Sequence, residues 1–178
     1  MAATVGNIAA GGNIVLNGAG DARYGVNASG TLNAGGTVTI NGTSNTTIGI
    51  LLNTSLTVAA NGGAAFNARS NSTNGLFFGG NATLDATGTP SLTINGTTAA
   101  GDGSYYGITF NGTANVANLV LNGTGNLSAL GDVGGVTFGG TANASGNVTV
   151  IGQINGTFSG VYFTGNVASG GNVVLNGS

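Results

Sequence analysis

The chain contains two nearly identical stretches, GNIAAGGNIVLNGA at residues 6–19 and GNVASGGNVVLNGS at residues 165–178. Ten of the fourteen positions are identical, and the other four exchange Ile for Val or Ala for Ser. The two copies lie 159 residues apart, and weaker copies fill the interval between them. Self-similarity of this kind indicates a repeat architecture, in which each unit stacks on its neighbours.

A recurring motif divides this interval into units. The motif is aliphatic-x-aliphatic-Asn-Gly, and its best copies stand at residues 14–18, 38–42, 92–96, 119–123 and 173–177. Residues 64–68 fit with Ala after the Asn, and residues 148–152 fit with Ile151 in place of the Asn. Successive Asn-equivalent positions are 24, 26, 28, 27, 29 and 25 residues apart. The sequence therefore predicts about seven units of about 26 residues.

Each unit holds two further short apolar segments. One follows a glycine and reads Gly-aliphatic-x-Phe or a close variant, beginning at Gly25, Gly49, Gly75, Gly107, Gly135 and Gly160. The other is looser and occurs at residues 31–34, 82–84, 114–116, 142–144 and 166–168. Apolar positions alternate with small or polar ones in these segments, which is typical of short strands, and no stretch shows a helical period over a useful length.

These features predict an all-β fold, a right-handed parallel β-helix (β-solenoid) of about seven coils with three short strands per coil. One unit cannot bury its apolar face alone, but stacked units bury it at every level, and parallel crossovers are right-handed by default. We expect a single repeat domain over residues 1–178 without distinct caps. The alternative is an antiparallel sandwich or meander, because Asn-Gly is also a strong hairpin signal. The near-copies of one long unit favour the β-helix.

Stacking of coils places equivalent residues above one another in ladders. The Gly-aliphatic-x-Phe segment predicts an interior aromatic stack of Phe78, Phe110, Phe138 and Phe163, continued by Leu52. The Asn of the repeated motif predicts a ladder at one corner of the coil, because Asn tolerates left-handed backbone and its amide can bond to both neighbouring levels. The predicted ladder comprises Asn17, Asn41, Asn67, Asn95, Asn122 and Asn176.

The composition excludes most catalytic chemistry. Only six of 178 residues are charged, four Asp and two Arg, and the chain has no Lys, Glu, His or Cys. Imidazole, thiolate and amine catalysts and His or Cys metal sites are therefore excluded, and two arginines are too few to neutralise a nucleic-acid backbone. We expect no enzyme activity, no cofactor, no metal and no nucleic-acid partner. No apolar run approaches the ~20 residues of a membrane-spanning helix.

Two acidic and two aromatic positions are the remaining candidates for a site. Asp102 and Asp132 precede equivalent segments of neighbouring units, and paired carboxylates can bind Ca²⁺ or form a glycosidase dyad. The absence of the calcium-binding nonapeptide and the small number of acids favour isolated aspartates on a solvated corner. Tyr105 and Tyr106 stand in the longest predicted loop, either as a sugar or protein contact or as residues that cover the coil edge.

Sequons of the form Asn-x-Ser/Thr are abundant, with fourteen present against about five expected from the composition. One interpretation is a heavily glycosylated surface protein. The other is that Asn-Gly-Thr is the turn chemistry of a repeated corner. Ladder asparagines are poor acceptors because their amides are engaged. The remaining candidate acceptors are Asn27, Asn45, Asn53, Asn71, Asn81, Asn111, Asn126, Asn143, Asn147 and Asn155.

The repeated blocks resemble a known family. Gly-Val-x-Phe, Asn-Val-Thr, Leu-Thr-Ile-Asn-Gly-Thr and Gly-Gly-Asn-Val-Val-Leu-Asn-Gly look like the stalk of two-partner-secreted bacterial adhesins of the filamentous haemagglutinin and high-molecular-weight adhesin type. The resemblance covers essentially the whole chain. It implies a secreted β-helical fibre at the bacterial cell surface that acts in adhesion or biofilm, and some relatives carry sugars on Asn-x-Ser/Thr. The Asn-Pro-Asn motifs of the family's secretion domain are missing from this sequence, so the resemblance is to the stalk.

Two functions are consistent with these observations. The first is an adhesin stalk whose partners are adjoining repeats and host or biofilm surface glycans or proteins. The second is an extracellular filament or sheath subunit that stacks head to tail, because residues 6–19 and 165–178 hold the same phase of the unit. A third, an ice-binding solenoid, needs a flat Thr-x-Thr array, and its nearest case, residues 37–39, is not repeated in neighbouring coils.

Overall fold

The computed structural model describes residues 3–99, 105–126, 133–155 and 159–178. Within these ranges strands are the only regular elements, and they form three parallel sheets of seven strands each. The chain visits the three sheets in turn, so three consecutive strands make one rung. Seven rungs are stacked, with about six turns between the first and the last. The predicted parallel β-solenoid is confirmed.

The three sheets are named by the order in which the chain enters them. Sheet 1 contains β1 (Ala3–Val5), β4 (Val26–Ala28), β7 (Ile50–Leu52), β10 (Leu76–Phe78), β13 (Tyr105–Phe110), β16 (Val133–Phe138) and β19 (Val161–Phe163). Sheet 2 contains β2 (Ile8–Ala10), β5 (Gly30–Ala34), β8 (Leu56–Ala60), β11 (Thr83–Ala86), β14 (Thr113–Val116), β17 (Thr141–Ala144) and β20 (Asn166–Ser169). Sheet 3 contains β3 (Ile14–Gly20), β6 (Val38–Ser44), β9 (Ala64–Ser70), β12 (Leu92–Thr98), β15 (Leu119–Asn126), β18 (Val148–Asn155) and β21 (Val173–Gly177).

The register of sheet 3 follows the repeat period. Asn41 pairs with Asn17 on one side and with Asn67 on the other. The same column continues through Asn95 and Asn122. Equivalent residues of successive units are therefore register partners in this sheet. The differences in unit length are accommodated outside the paired segments.

The core lies between the three sheets and is filled by the inward half of each alternating pattern. In β6 the buried apolar side chains are those of Val38 and Ile40, whereas the intervening Thr39 is only partly buried. Phe66 is fully buried in the same column as Ile40, its register partner. Because strands alternate sides residue by residue, a period-2 apolar pattern is enough to place one side chain in two inside the solenoid.

The Asn-Gly of the repeated motif lies inside a strand and not at a corner, which corrects the prediction. Alternation continues through it in β6, where Ile40 and Gly42 are buried and Asn41 between them is partly exposed. The strands of sheet 3 with this motif extend three or four residues beyond the Asn wherever they run to full length, as in β6 and β15. Asn-Gly is compatible with both a turn and an extended strand, and here the pairing along the whole segment selects the strand.

Glycines are required where sheet 3 turns into sheet 1. A Cβ on Gly75 would lie 2.6 Å from the Thr97 nitrogen in β12 and 2.6 Å from the Gly107 carbonyl oxygen. Gly49 is equally crowded, since a Cβ there would lie 2.5 Å from the Arg69 carbonyl oxygen. Real Cβ atoms are not found so close to backbone atoms, so this corner of the solenoid is narrow because glycine recurs there.

Candidate functional site

An aromatic stack occupies the inner face of sheet 1. Phe78, Phe110 and Phe138 are fully buried. The rings of Phe78 and Phe110 meet edge to face with centroids 4.9 Å apart, and those of Phe110 and Phe138 stack almost parallel at 4.6 Å. Leu52 is the register partner of Phe78 and continues the column. Such ring pairs each add roughly 0.5–1.5 kcal/mol beyond burial, so the column stabilises the stack of rungs.

Phe163 also joins the stack but is not buried. Its ring lies 4.8 Å from that of Phe138 and nearly parallel to it. It belongs to the seventh rung, the last one among the described residues, and its side chain is only partly buried against the core. The expectation that all four phenylalanines are buried is wrong for Phe163.

An asparagine ladder runs along the outer face of sheet 3. In each step the Nδ2 group of one Asn donates a hydrogen bond to Oδ1 of the Asn one rung earlier. The distances are 2.8 Å from Asn41 to Asn17, 2.8 Å from Asn67 to Asn41, 2.8 Å from Asn95 to Asn67 and 2.9 Å from Asn122 to Asn95. Each interior member therefore donates once and accepts once within the ladder, which holds the amide in one orientation.

The ladder stops at the sixth rung. Ile151 takes the Asn position there and pairs with Asn122 below and Asn176 above. Asn176 is exposed and lies two rungs from Asn122, so the structure does not bring it into the hydrogen-bonded series. An isoleucine side chain neither donates nor accepts, and the interruption follows directly from this substitution.

Further polar columns line the corner between sheet 3 and sheet 1. On the surface, Asn45 donates from Nδ2 to Asp21 Oδ1 at 2.6 Å, and Asn71 donates to Asn45 Oδ1 at 2.9 Å. Just inside, Ser44 and Ser70 are fully buried and donate to backbone carbonyl oxygens at 2.9 and 2.6 Å. In the described part of the chain no buried side-chain polar atom lacks a hydrogen-bond partner.

The sequon asparagines outside the sheet 3 ladder lie at the surface. Asn27 is partly buried, and the others are exposed, namely Asn45, Asn53, Asn71, Asn81, Asn111, Asn126, Asn143, Asn147 and Asn155. An acceptor must be accessible to a transferase, and all of these positions face outward. Their exposure is thus compatible with the glycosylation interpretation without testing it.

The amide nitrogens of these asparagines differ in their engagement. An N-linked sugar is attached to Nδ2. In Asn45, Asn71 and Asn143 this nitrogen donates a hydrogen bond along the solenoid axis, in the last case to Asn115 Oδ1 at 3.0 Å. These three positions are therefore poorer acceptors than the exposed asparagines whose Nδ2 group makes no such bond.

The tyrosine pair does not lie in a loop, contrary to the prediction. Tyr105 and Tyr106 begin β13 and pair with Val133 and Gly134 of β16. Both side chains are partly buried, and the Tyr106 backbone N–H donates to Asn74 Oδ1 at 2.8 Å. The strand is longer than its apolar motif because pairing continues on its amino-terminal side.

The aspartate pair considered above cannot be placed, since Asp102 and Asp132 lie outside the described residues. Among the residues that are described, no group of three or more His, Cys, Asp or Glu side chains is arranged to hold a metal ion. Over the same residues, no helix has the length and apolar character needed to cross a membrane.

A row of polar side chains on sheet 2 was not predicted from the sequence. Asp85, Asn115 and Asn143 lie one above another on the outer face of sheet 2, in register, and line a groove of about 590 Å³. The available signal was an outward polar residue at the same place in three successive units, directly after Leu84, Ala114 and Ala142. It was missed because sheet 2 arises from the loosest of the three repeated segments.

No protein-family profile, no curated protein and no solved structure matches the chain.

Proposed function

We propose that this chain is a structural repeat region of a secreted bacterial surface adhesin, forming part of a fibrous stalk that acts in adhesion or biofilm. The observation that carries the proposal is the unbroken register of seven rungs in all three sheets. A stack of this kind adds length in a single direction with each unit. At about 4.8 Å per rung, seven rungs correspond to roughly 30 Å of rod.

The distribution of side chains supports a mechanical role. Contacts in a solenoid are made almost entirely with the neighbouring rungs, so stability is approximately a sum over rungs and their interfaces. Here every interface combines a buried apolar layer with axial hydrogen bonds, such as those of Asn67 and Asn95. A rod held together between successive rungs in this way suits a spacer between a cell and its attachment surface.

The composition supports a structural role over a catalytic one. The chain has six charged residues and no Lys, Glu, His or Cys, so the usual general acids, bases and nucleophiles are scarce. Secretion and surface location belong to the same proposal. The exposed sequon asparagines are in the right place to carry sugars on such a surface.

Surface labelling of the bacterium that encodes the chain tests this function. Antibodies raised against residues 1–178 should label intact cells without permeabilisation, and the labelled protein should be extractable from the cell surface. Deletion of the coding region should reduce attachment or biofilm, and complementation should restore it. Antigen confined to the cytoplasm, or normal attachment after deletion, would contradict the proposal.

A second candidate function, a head-to-tail filament subunit, is favoured by the seventh rung. Val173 and Leu175 occupy core columns there but are each 47% exposed. Residues 165–178 repeat residues 6–19, so the first rung offers Ile14 and Leu16 in the matching columns. A first rung placed on a seventh rung, in an adjoining repeat or a second copy, would cover both side chains. Self-association of the isolated chain distinguishes this candidate.

A further inference from the structure

We propose that the groove on the outer face of sheet 2 binds a neutral oligosaccharide through Asp85, Asn115 and Asn143. The groove spans rungs four to seven, from Asp85 and Thr87 at one end to Gly170 at the other. This site goes beyond the stalk proposal, since it needs only the rigid solenoid and not a surface location.

The first observation is an interrupted ladder. Asn143 donates from Nδ2 to Asn115 Oδ1 at 3.0 Å, as in the ladder of sheet 3. The next bond, from Asn115 to Asp85, is not made, although the two residues are register partners on adjacent strands. The Asp85 carboxylate instead accepts from the Thr87 backbone N–H at 3.2 Å and from the Thr87 hydroxyl at 2.9 Å, both through Oδ1.

The interruption leaves complementary groups side by side. Within the described residues, Asp85 Oδ2 accepts no hydrogen bond and Asn115 Nδ2 donates none, and Asn143 Oδ1 likewise accepts none. A carboxylate acceptor next to an amide donor matches a pair of neighbouring sugar hydroxyls, because each hydroxyl both donates and accepts. The Asp85 contact would be charge-assisted, and hence stronger than a neutral hydrogen bond.

The position of Asp85 is built into the fold. The turn at residues 87–90 is anchored by Thr89, which is 1% exposed, donates from Oγ1 to the Val58 carbonyl oxygen at 2.9 Å and accepts from the Ala60 N–H at 3.2 Å. This anchor holds Thr87, and Thr87 holds the carboxylate. A preorganised polar group loses little entropy when a ligand binds to it.

Charge and size argue for a neutral, elongated ligand. The groove is lined by one carboxylate and no cation, so an anionic glycan would meet repulsion and no compensating contact. The exposed Ala168 of the seventh rung lines it as well and suits the C–H face of a sugar ring. Four rungs span about 14 Å along the axis, and 590 Å³ is within the usual range of ligand clefts.

Titration of the isotope-labelled 178-residue chain tests the proposal. Cellotriose, maltotriose, mannotriose and chitotriose are added separately, and trigalacturonate serves as the charged comparator. We expect saturable amide shifts for at least one neutral trisaccharide, confined to rungs four to seven of sheet 2, and none for trigalacturonate. The absence of saturable shifts with all four neutral sugars would overturn the proposal.

Two variants and a matched control locate the contact. Asp85→Asn keeps the shape of the side chain and removes its charge, and Asn115→Ala removes the amide donor; each should weaken binding about tenfold. Asp21→Asn changes a surface carboxylate at another corner and should leave binding unchanged. Equal weakening by all three variants, or binding that requires added Ca²⁺, would overturn direct recognition by these side chains. Sheet circular dichroism checks that each variant is folded.

Discussion

A single backbone position separates a buried phenylalanine from a surface one in this solenoid. Phe78 is fully buried in the aromatic stack, whereas Phe77, one residue earlier in β10, points outward and is only partly buried. The sequence was sufficient to predict which phenylalanines face inward, because Phe recurs at one position of the unit. It was not sufficient for Phe163, since burial there depends on what covers the rung and not on the rung itself.

Replacement of Phe110 tests the aromatic stack. Phe110→Ala should destabilise the protein by about 3–5 kcal/mol, as for other buried aromatic residues, because it opens a cavity between Phe78 and Phe138. The matched control Phe77→Ala should cost about 1 kcal/mol or less. Urea unfolding followed by circular dichroism measures both. A loss below about 1 kcal/mol for Phe110→Ala would mean that the column faces solvent.

Substitution of a corner glycine tests the close backbone approach where sheet 3 turns into sheet 1. Gly75→Ala would place a Cβ 2.6 Å from two backbone atoms, so we expect destabilisation of about 1–3 kcal/mol or more. In Gly88→Ala the nearest atom to the new Cβ is the Ala59 Cβ at 3.9 Å, and the change should stay within about 0.5 kcal/mol. Thermal unfolding compares the pair. Equal melting temperatures would show that the corner relaxes freely.

The strands of sheet 3 carry the asparagine ladder. The length of these strands beyond the Asn-Gly motif was the feature of sheet 3 that the sequence predicted least well. The column of asparagines was visible in the sequence, and Ile151 marked the gap in it. Its location in mid-strand was not visible, because Asn-Gly has the same local preference for turns whether or not a neighbouring strand pairs with it. Pairing over seven or eight residues supplies the free energy that overrides this preference.

Conversion of one amide to a carboxylate tests the ladder. In Asn95→Asp the donor to Asn67 is replaced by an acceptor, so two oxygens face each other across one rung. We expect a loss of about 1–3 kcal/mol near neutral pH. The loss of stability should become smaller as the pH falls through the pKa of the new carboxyl, because the protonated form can donate to Asn67 again. Asn33→Asp, at an exposed site with no such bond, should change stability by less than about 0.5 kcal/mol.

Calorimetry over a range of pH separates these outcomes. A deficit of Asn95→Asp that is the same at all pH values would contradict the proposed loss of a donor. A deficit of equal size in Asn33→Asp would assign the effect to surface charge and not to the ladder.

The whole molecule is a one-dimensional stack in which each rung pairs only with its neighbours in the three sheets. Repeat phase was the strongest signal in the sequence, and it correctly predicted the architecture and the register of the asparagine and phenylalanine columns in sheets 3 and 1. The groove of sheet 2 was not predictable, because it depends on how Thr87 diverts a carboxylate from the ladder position. The repeat alignment shows the polar row itself but not this side-chain contact within one unit.

The exposed seventh rung predicts that isolated chains stack end to end. On the seventh rung Val173 and Leu175 lie in core columns and Val174 between them points outward, yet all three are 47–48% exposed. A first rung stacked on this surface would bury the two inward side chains and pair the open edges of three strands at about 4.8 Å. Because such a head-to-tail contact does not have to close into a ring, it can form open-ended filaments. Sedimentation from micromolar to millimolar concentration should therefore show growing head-to-tail species. Leu175→Glu should suppress them by placing a charge in the contact, while the equally exposed Val174→Glu should suppress them much less. A strictly monomeric chain at the highest concentration, or equal effects of the two variants, would contradict stacking through the core columns.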